Sequence, residues 1–289
     1  GEKLLNNISF TLNHDDKIAI IGENEIAITA LMQILAGEDE PDEGTVKWGV
    51  STSRSYFPKD NSKYFDGCEL NLVDWLRQYS AAGFETQNES YIRGFLGRML
   101  FSGDDVFKQV NVLSGGEKVR VLLSRMMIEA SNVLILDEPT VAVDPQSRNN
   151  ILDGIRKLRD DGATICYTTH YMEEVEILCD RIIILDRGKI IAQGTSDELK
   201  ALAKIEEKVT IETKHFKPEF LEKLQAAPNV DKAEYAGHQL VITYKSGKNN
   251  VAKLIEELSA AGITCNKIFS ERPTLNDVFL ELTGKELRD

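Results

Sequence analysis

Short apolar runs recur along the chain and predict buried β-strands. Residues 17–22 read Lys-Ile-Ala-Ile-Ile-Gly, and residues 133–136 read Val-Leu-Ile-Leu. A strand without a polar face is typical of a parallel sheet that is covered on both sides. Residues 26–36 carry apolar positions at helical spacing, and Gly37 ends that pattern. A strand, a turn and a helix are therefore predicted in this order.

Strands and helices continue to alternate up to about residue 194, with one interruption. Further strands are predicted at residues 46–48, 53–57, 163–168, 181–186 and 189–194, and further helices at 117–129, 146–159 and 171–178. Residues 70–112 show apolar positions at helical spacing and no strand pattern, which indicates a helical insert. The alternation predicts an α/β fold with a mostly parallel sheet.

The pattern changes after a charged stretch at residues 201–208. Beyond it we predict strands at residues 208–213, 231–236, 239–245 and 263–270, and helices at 218–226, 249–260 and 274–283. This order indicates a small C-terminal α+β domain, with Val209, Leu254 and Ile255 in its core. We expect domains at residues 1–204 and 205–289.

Composition narrows the possible partners. The 289 residues carry a formal net charge of −13 and are 42% hydrophobic, a balance that is ordinary for a globular protein with a real core. We expect no nucleic-acid partner, because binding a nucleic acid requires a basic face. The four cysteines lack paired or metal-type spacing, which favours reduced thiols in a cytoplasmic protein. No apolar run reaches the roughly 20 residues of a membrane span, so we expect any membrane role to come through a partner.

A small-residue turn precedes the helix predicted at residues 117–129. It contains Ser114, Gly115 and Gly116. At a helix N-terminus, unpaired amides and the helix dipole favour an anion such as a phosphate group. Alone, a Ser-Gly-Gly turn is more often only a helix cap.

Acidic and imidazole side chains follow two of the predicted strands. Asp137 and Glu138 end the apolar run, where one carboxylate can hold Mg²⁺ and its neighbour can polarise an attacking water. Asp144 lies in a Val-Asp-Pro turn, and His170 follows the next strand, where an imidazole can contact a γ-phosphate or hold a base. Each feature alone is more often structural. Their combined order and spacing favour a nucleotide site.

Together these motifs resemble the ATP-binding-cassette (ABC) ATPase family. Leu113–Glu117 is similar to its signature motif, Leu134–Glu138 to its Walker B motif, Val143–Pro145 to its D-loop and His170 to its switch histidine. The resemblance implies the P-loop NTPase cassette fold, with a helical subdomain at about residues 70–112 and a small C-terminal α+β domain.

The resemblance also implies a function and partners. In this family, ATP with Mg²⁺ lies between the phosphate loop of one cassette and the signature motif of another, so we expect a homodimer or a second ABC cassette. It implies a membrane permease as a further partner, and a place in the cytoplasm or at the inner face of the membrane. Glu138 would orient water, Asp137 would hold Mg²⁺, and Ser114, Gly115 and Gly116 would reach the nucleotide of the partner cassette.

Two parts of the chain resemble two different branches of the family. Residues 1–139 are similar to the second cassette of ABC-F translation-associated ATPases, notably in Tyr56–Asp60 and Gly94–Leu100. Residues from about 140 are similar to ATP-binding subunits of exporters with a C-terminal regulatory domain. A natural fusion and a laboratory recombinant would both produce this pattern.

The phosphate loop departs from the pattern G-x-x-x-x-G-K-[ST]. Gly22 and Thr29 stand at its two ends with Asn24 between them, and the resemblance implies that all three contact nucleotide, Thr29 also as a ligand of Mg²⁺. Ile28 stands in place of the lysine that reaches the β- and γ-phosphates. Ala27 stands in place of the glycine before it.

Further positions depart from the family pattern. Glu25 stands where the ABC-F branch has another glycine, and it brings a negative charge close to the phosphates. Asp15 and Ala142 replace two more family glycines. Lys59 stands where most cassettes have the Q-loop glutamine, and the resemblance implies that it contacts the nucleotide.

From these losses we expect weak binding of MgATP and little or no hydrolysis. Ile28→Lys is expected to recover part of the affinity, and restoration of residues 25, 27 and 28 together to recover more. Two alternatives stay open. One is a catalytically silent or recombinant ABC-fold scaffold. The other is an ABC-F translation factor, although such factors carry two cassettes joined by a long charged linker.

Overall fold

The chain divides into two compact units. The computed structural model describes residues 3–202, 207–213, 216–245 and 250–284. The first unit runs up to Ser196 and the second from Asp197 to Glu286. The boundary expected between residues 204 and 205 lies outside the described residues. The observed division is earlier in the chain, because most of a short helix at Ser196–Lys200 clusters with the second unit.

A six-stranded sheet forms the centre of the first unit. Its strands are β1 (Lys17–Gly22), β2 (Arg54–Phe57), β3 (Val133–Asp137), β4 (Thr164–Thr168), β5 (Arg181–Asp186) and β6 (Lys189–Gly194). They lie in the order β2-β3-β4-β1-β5-β6, and every adjacent pair is parallel except β5 with β6. The predicted α/β fold with a mostly parallel sheet is confirmed.

Six α-helices lie in the described part of this unit. They are α1 (Glu25–Ala36), α2 (Leu72–Arg77), α3 (Glu89–Arg98), α4 (Gly115–Glu129), α5 (Pro145–Asp160) and α6 (Met172–Leu178). Residues 70–112, all of them described, contain α2, α3 and short 3₁₀ turns at Gly103–Phe107 and Val110–Val112. This stretch contains no strand, and its only sheet-like pairing is an isolated bridge between Asn71 and Gln109.

The sheet separates two apolar cores, which explains the wholly apolar strands. In β3, Leu134 and Leu136 belong to the core that includes α2, α3 and α4. Val133 and Ile135 point the other way, into the core that includes α1. Side chains alternate along a strand, so a strand buried on both faces needs an apolar residue at every position.

One predicted strand of the first unit is absent. The structure assigns no strand to residues 46–48. Val46 is exposed, while Trp48 packs against the α1 core and lies under the guanidinium of Arg54, 5.5 Å from its ring centroid. The prediction was wrong because β2 already forms the edge of the sheet and no neighbouring strand pairs with this stretch.

The second unit contains a four-stranded antiparallel sheet, which confirms the predicted small α+β domain. Its helices and strands are α7 (Ser196–Lys200), β7 (Glu207–Glu212), α8 (Pro218–Gln225), β8 (Val230–Ala236), β9 (Gln239–Tyr244), α9 (Asn250–Ala260), β10 (Lys267–Glu271) and α10 (Leu275–Thr283). The strands lie in the order β10-β7-β9-β8. Val209 and Leu254 belong to the core of this unit.

Two details of the second unit differ from the predictions. The last strand begins at Lys267 rather than at residue 263, although Ile263 is buried in the core. Ile255, predicted as a core residue, is 41% exposed. Leu254 and Leu258 form the buried stripe of α9, and Ile255 lies about 100° around the helix from Leu254, outside that stripe.

Candidate functional site

The connection from β1 to α1 is closed as a helix cap. Asn24 is the N-cap residue of α1, and its side-chain oxygen accepts the amide N–H of Ala27 at 3.1 Å. Its backbone carbonyl accepts the amide N–H of Ile28, also at 3.1 Å. Only Glu23 and Asn24 separate β1 from the first residue of α1. Two amides of the predicted phosphate loop are therefore engaged in starting the helix.

Ile28 lies in the core rather than over the loop. Its side chain is 3% exposed and belongs to the apolar cluster between α1 and the sheet. Gly22 lies against the same side chain, since a Cβ built on Gly22 would be 3.5 Å from Ile28 Cδ1. That Cβ would also lie 2.7 Å from the carbonyl oxygen of Leu185 on β5. Gly22 is therefore required by the close approach of two strand backbones.

Asp137 is a buried carboxylate with one free oxygen. Its Oδ1 accepts the hydroxyl of Thr168 at 2.8 Å. Within the described residues, Oδ2 makes no hydrogen bond of normal geometry. Burial raises the pKa of Asp137. Hydrogen bonds from the hydroxyls of Thr168 and Thr29 act to lower this pKa but do not outweigh burial. The hydroxyl of Thr29 thus lies beside the carboxylate of Asp137.

A left-handed backbone occurs at two positions predicted to replace family glycines and at one residue of the site. Ala142 and Asp15, predicted to replace family glycines, have φ values of 57° and 64°. Glycine adopts this conformation without a steric penalty, which explains why glycine suits both positions. Glu138 has φ of 48°. Its amide donates to the hydroxyl of Thr168 at 2.9 Å, which holds this strained residue in place.

Four charged or ionisable side chains meet where β2, β3 and β4 end and where α1 begins. We call Glu25, Lys59, Glu138 and His170 the ion cluster. Lys59 Nζ lies 2.6 Å from Glu25 Oε2 and 2.7 Å from Glu138 Oε2. His170 Nε2 lies 2.7 Å from Glu138 Oε1 and 3.5 Å from Glu25 Oε1. Each carboxylate therefore faces the ammonium with one oxygen and the imidazole with the other.

The contacts within the ion cluster favour its charged forms. The hydrogen bond to Glu138 raises the pKa of His170 against the effect of burial. Burial acts to raise the pKa of Glu138, but the contacts with His170 and Lys59 hold it below its ordinary value. Burial likewise opposes the shift at Lys59, whose pKa is raised by its hydrogen bonds to Glu138 and Glu25. Contact between opposite charges therefore raises the pKa values of His170 and Lys59 and lowers the pKa of Glu138.

Ser114, Gly115 and Gly116 form the start of α4. Ser114 is the N-cap residue in a capping box with Glu117. Gly115 is the first helical residue, and its Cβ position is open. Gly116 is buried, and a Cβ there would lie 2.7 Å from both Cβ and Oγ of Ser147 on α5. Close packing of α4 on α5 is thus a structural reason for the second glycine.

The predicted site residues fall into two groups. The first lies in and around the ion cluster, and the second consists of Ser114, Gly115, Gly116 and Asp144. Asp144 is the N-cap residue of α5 and accepts the amides of Gln146 and Ser147. It therefore lies beside the start of α4, through Ser147. Within the described part of the chain, no hydrogen bond or ion pair joins this second group to the ion cluster. The predicted site residues are therefore not all in direct polar contact with one another in the described structure.

Glu174 is an organising residue that the sequence interpretation missed. It is 1% exposed, and its Oε2 accepts the hydroxyls of Thr140, Tyr167 and Thr169 at 2.7–2.9 Å. Its Oε1 accepts Arg148 Nε at 2.6 Å. Glu174 therefore ties the segment after β3 to the end of β4 and to α5. The burial of Glu174 has no local sequence signal, because Thr140 and Arg148 are 34 and 26 positions away in the chain.

Comparison with known proteins identifies the family. Residues 5–141 match the ABC transporter family, and residues 194–283 match the ATP-binding protein DrrA1-3-like C-terminal domain. The Nod factor export ATP-binding protein I of Rhizobium meliloti (strain 1021) is 32% identical over 306 residues, which cover 100% of this chain and 86% of that protein. The chain belongs to the ABC transporter ATP-binding proteins.

Other relatives of this ABC protein differ in the length that they share with it. The linearmycin resistance ATP-binding protein LnrL of Bacillus subtilis is 29% identical over 304 residues, which cover 100% of this chain and 96% of that protein. The uncharacterized ABC transporter ATP-binding protein YkpA of Bacillus subtilis is 51% identical over 211 residues, which cover 73% of this chain but only 38% of that protein.

Solved structures show the same cassette fold. The dimeric ATP-binding cassette MJ0796 bound to ADP and Pi has a TM-score of 0.56 at 19% identity, over 68% of this chain and 93% of that chain. CbiO1 from Clostridium perfringens has a TM-score of 0.57 at 22% identity, over 68% of this chain and 84% of that chain. No helix within the described ranges is both long and apolar enough to traverse a bilayer.

The family generally binds ATP with Mg²⁺, and the residues present suit that ion. Mg²⁺ prefers oxygen ligands and one or two carboxylates. The unpaired Oδ2 of buried Asp137, with the hydroxyl of Thr29 beside the same carboxylate, fits this preference. An unpaired buried carboxylate oxygen is costly without such a ligand.

Proposed function

We propose that this chain is an ATP-binding subunit of an exporter-type ABC transporter whose phosphate loop binds MgATP weakly. One observation carries the proposal: the loop is closed as the capped first turn of α1. The amides of Ala27 and Ile28 are bonded to Asn24, and the Ile28 side chain is buried where a lysine should reach phosphate. Phosphate binding depends on free amides and that lysine.

The remaining residues support the roles that the motifs imply. Thr29 and Asp137 would hold Mg²⁺, which when bound neutralises charge on the phosphates. Glu138 would orient the attacking water, with His170 beside it at 2.7 Å. Gly22 and Asn24 would lie along the phosphates. Lys59, which follows the carboxyl end of β2, would face the same phosphates. Weak binding follows because these groups act on a phosphate that the loop must first hold.

The partners of the chain are part of the proposal. Ser114, Gly115, Gly116 and Asp144 lie apart from the ion cluster, and they would serve the nucleotide of a second cassette in a homodimer or heterodimer. Relatives named for Nod factor export and linearmycin resistance cover nearly the whole chain, which supports a permease partner at the inner face of the membrane. The domains would be the cassette at residues 1–204 and a regulatory appendage at residues 205–289.

We also propose that the chain joins two branches of the family. The 51% identity to YkpA extends over 73% of the chain, and so past residue 139, whereas the exporter relatives match the whole length of the chain at 29–32%. Separate phylogenetic trees for residues 1–139 and 140–289 test this proposal. Two different branch positions are expected, and one shared position would contradict it.

A catalytically silent scaffold is the second candidate function, and the ion cluster favours it. Glu138 and His170, the residues that would act on water and phosphate, are held in contact with Glu25 and Lys59 instead. Glu25 also places a carboxylate where phosphate charge would lie. A nucleotide would have to displace these contacts as well as the helix cap.

Nucleotide binding and turnover test the two candidates. We would measure MgATP affinity by calorimetry and phosphate release by the purified chain, beside the variant Glu25→Gly/Ala27→Gly/Ile28→Lys. Weak binding by the unchanged chain and a large gain in the triple variant support the weakened ATPase. No binding by either protein supports the silent scaffold. Turnover near 1 s⁻¹ by the unchanged chain, ordinary on a scale of roughly 1–10³ s⁻¹, would contradict both.

A further inference from the structure

Three side chains of the ion cluster have the composition and spacing of a transition-metal site. One ligand atom each from Glu25, Glu138 and His170 lie within 4.8 Å of one another. Zinc bonds to nitrogen and oxygen are about 2.0–2.2 Å, so two ligands of a tetrahedral ion lie roughly 3.4 Å apart. His170 Nε2 to Glu25 Oε1, at 3.5 Å, already has that spacing. His170 Nε2 to Glu138 Oε1, at 2.7 Å, must open by somewhat more than half an ångström.

We propose that Glu25, Glu138 and His170 form a site for a divalent transition metal such as Zn²⁺ in the nucleotide-free protein. The proposal goes beyond nucleotide binding, because it concerns the nucleotide-free protein and because a carboxylate at residue 25 of the phosphate loop would repel a phosphate rather than bind it. It also differs from the Mg²⁺ position at Thr29 and Asp137. An imidazole ligand favours zinc and its neighbours in the first transition series over Mg²⁺, which prefers oxygen and octahedral geometry.

The fold holds the three ligands in place before any ion binds. Glu138 follows β3 and His170 follows β4, and Glu25 is the first residue of α1, just after β1. These three strands are adjacent and parallel, so their carboxyl ends meet at one edge of the sheet. The side chains of Glu138 and His170 are 3% and 12% exposed. Buried ligands with few alternative rotamers lose little freedom on binding.

Lys59 leaves the ligand atoms available. Its ammonium contacts the Oε2 atoms of Glu25 and Glu138, whereas the imidazole faces their Oε1 atoms. A metal between the Oε1 atoms and Nε2 takes the place of the Nε2 proton, which is released to solvent. The two carboxylates and the one ammonium together carry a net charge of −1, which favours the binding of a cation. The Glu25 side chain is 47% exposed, which gives the ion a path to water and a place for a water as fourth ligand.

Zinc titration of the full chain tests the proposal. The chelator-treated protein, without nucleotide and with its cysteines kept reduced, is titrated with Zn²⁺ by calorimetry. Cobalt(II) then serves as a spectroscopic probe of the coordination geometry. We expect one site per chain, with a visible spectrum of four-coordinate Co²⁺. Loss of an outer partner of a metal ligand costs roughly 10–100-fold in affinity, so loss of a ligand itself should cost at least that.

Matched variants separate this site from other zinc-binding groups. Glu25→Gln removes one ligand at a half-exposed position and preserves the fold, and His170→Ala removes the nitrogen ligand. Both are expected to weaken binding at least tenfold. His14→Ala removes a histidine that lies 3.0 Å from Asp15 on the surface, and it should leave the affinity unchanged. Equal zinc affinity in Glu25→Gln and the unchanged chain would overturn the proposal. Because no nucleotide is present, that result would leave the proposed nucleotide function standing.

Discussion

Sequence and structure predict different effects of the substitution Ile28→Lys. By sequence, it restores the lysine of the phosphate loop. In the structure, the Ile28 side chain is 3% exposed and packs among apolar residues of α1 and the sheet, including Ile20, Leu31 and Leu185. A lysine in the same rotamer would place its ammonium in that core. We therefore expect the single change to destabilise the first unit.

The expected loss can be worked from the burial of the side chain. Removing a fully buried isoleucine from its apolar environment forfeits about 1.5–3 kcal/mol. An unpaired ammonium adds to this loss unless the side chain bends out to solvent. The expected total is about 2–5 kcal/mol, the range measured for large truncations in protein cores. Ile28→Met is the matched control, because a swap of similar volume usually costs less than about 1.5 kcal/mol.

Urea unfolding without nucleotide measures this difference. Both tryptophans, Trp48 and Trp75, lie in the first unit, so tryptophan fluorescence reports the unfolding of that unit. The gain in MgATP affinity should be larger in the triple variant than in Ile28→Lys alone. Glycine costs about 1 kcal/mol in a helix, so glycines at residues 25 and 27 favour a helix that starts later and frees the lysine. If Ile28→Lys and Ile28→Met unfold within about 0.5 kcal/mol of each other, a spread usual for surface changes, the burial argument is wrong.

Four further outcomes are expected. Ala142→Gly should stabilise the first unit by about 1 kcal/mol in urea unfolding, because it relieves a left-handed alanine, and no gain would contradict the observed φ of 57°. Gly22→Ala should destabilise it by about 1–3 kcal/mol, since the new Cβ would lie 2.7 Å from the carbonyl oxygen of Leu185, and unchanged stability would argue against that close approach. The raised pKa of His170 in the folded chain means that its stabilising contribution is fully present below the unfolded pKa of about 6.5 and is lost as pH rises through the folded pKa. Unfolding in chelator at several pH values should show this loss, and His170→Gln should abolish it; the same slope in both proteins would refute the assignment. In the triple variant, Glu138→Gln should stop phosphate release while MgATP affinity is kept, and continued turnover would remove Glu138 from its proposed role.

Local sequence pattern determined most of the secondary structure and the fold class. Residues 18–21 and 133–136 are apolar at every position, and both form parts of central strands. Asp144 before Pro145, and Ser114 three residues before Glu117, are helix-start signals, and both are N-cap residues in the structure. These features depend on neighbours within a few residues, because hydrophobic periodicity and capping are local.

Tertiary structure decided which of these residues meet. Glu25 and Lys59 are 34 positions apart, yet their side chains lie 2.6 Å from each other because α1 and the end of β2 reach one edge of the sheet. Sequence alone marked Glu25 as a loop defect and gave no reason to pair it with His170. The burial of Ile28 and the left-handed backbone of Ala142 likewise depend on how strands and helices pack. Such contacts are set by strand order and register, which act across the whole unit, and no local window of sequence contains them.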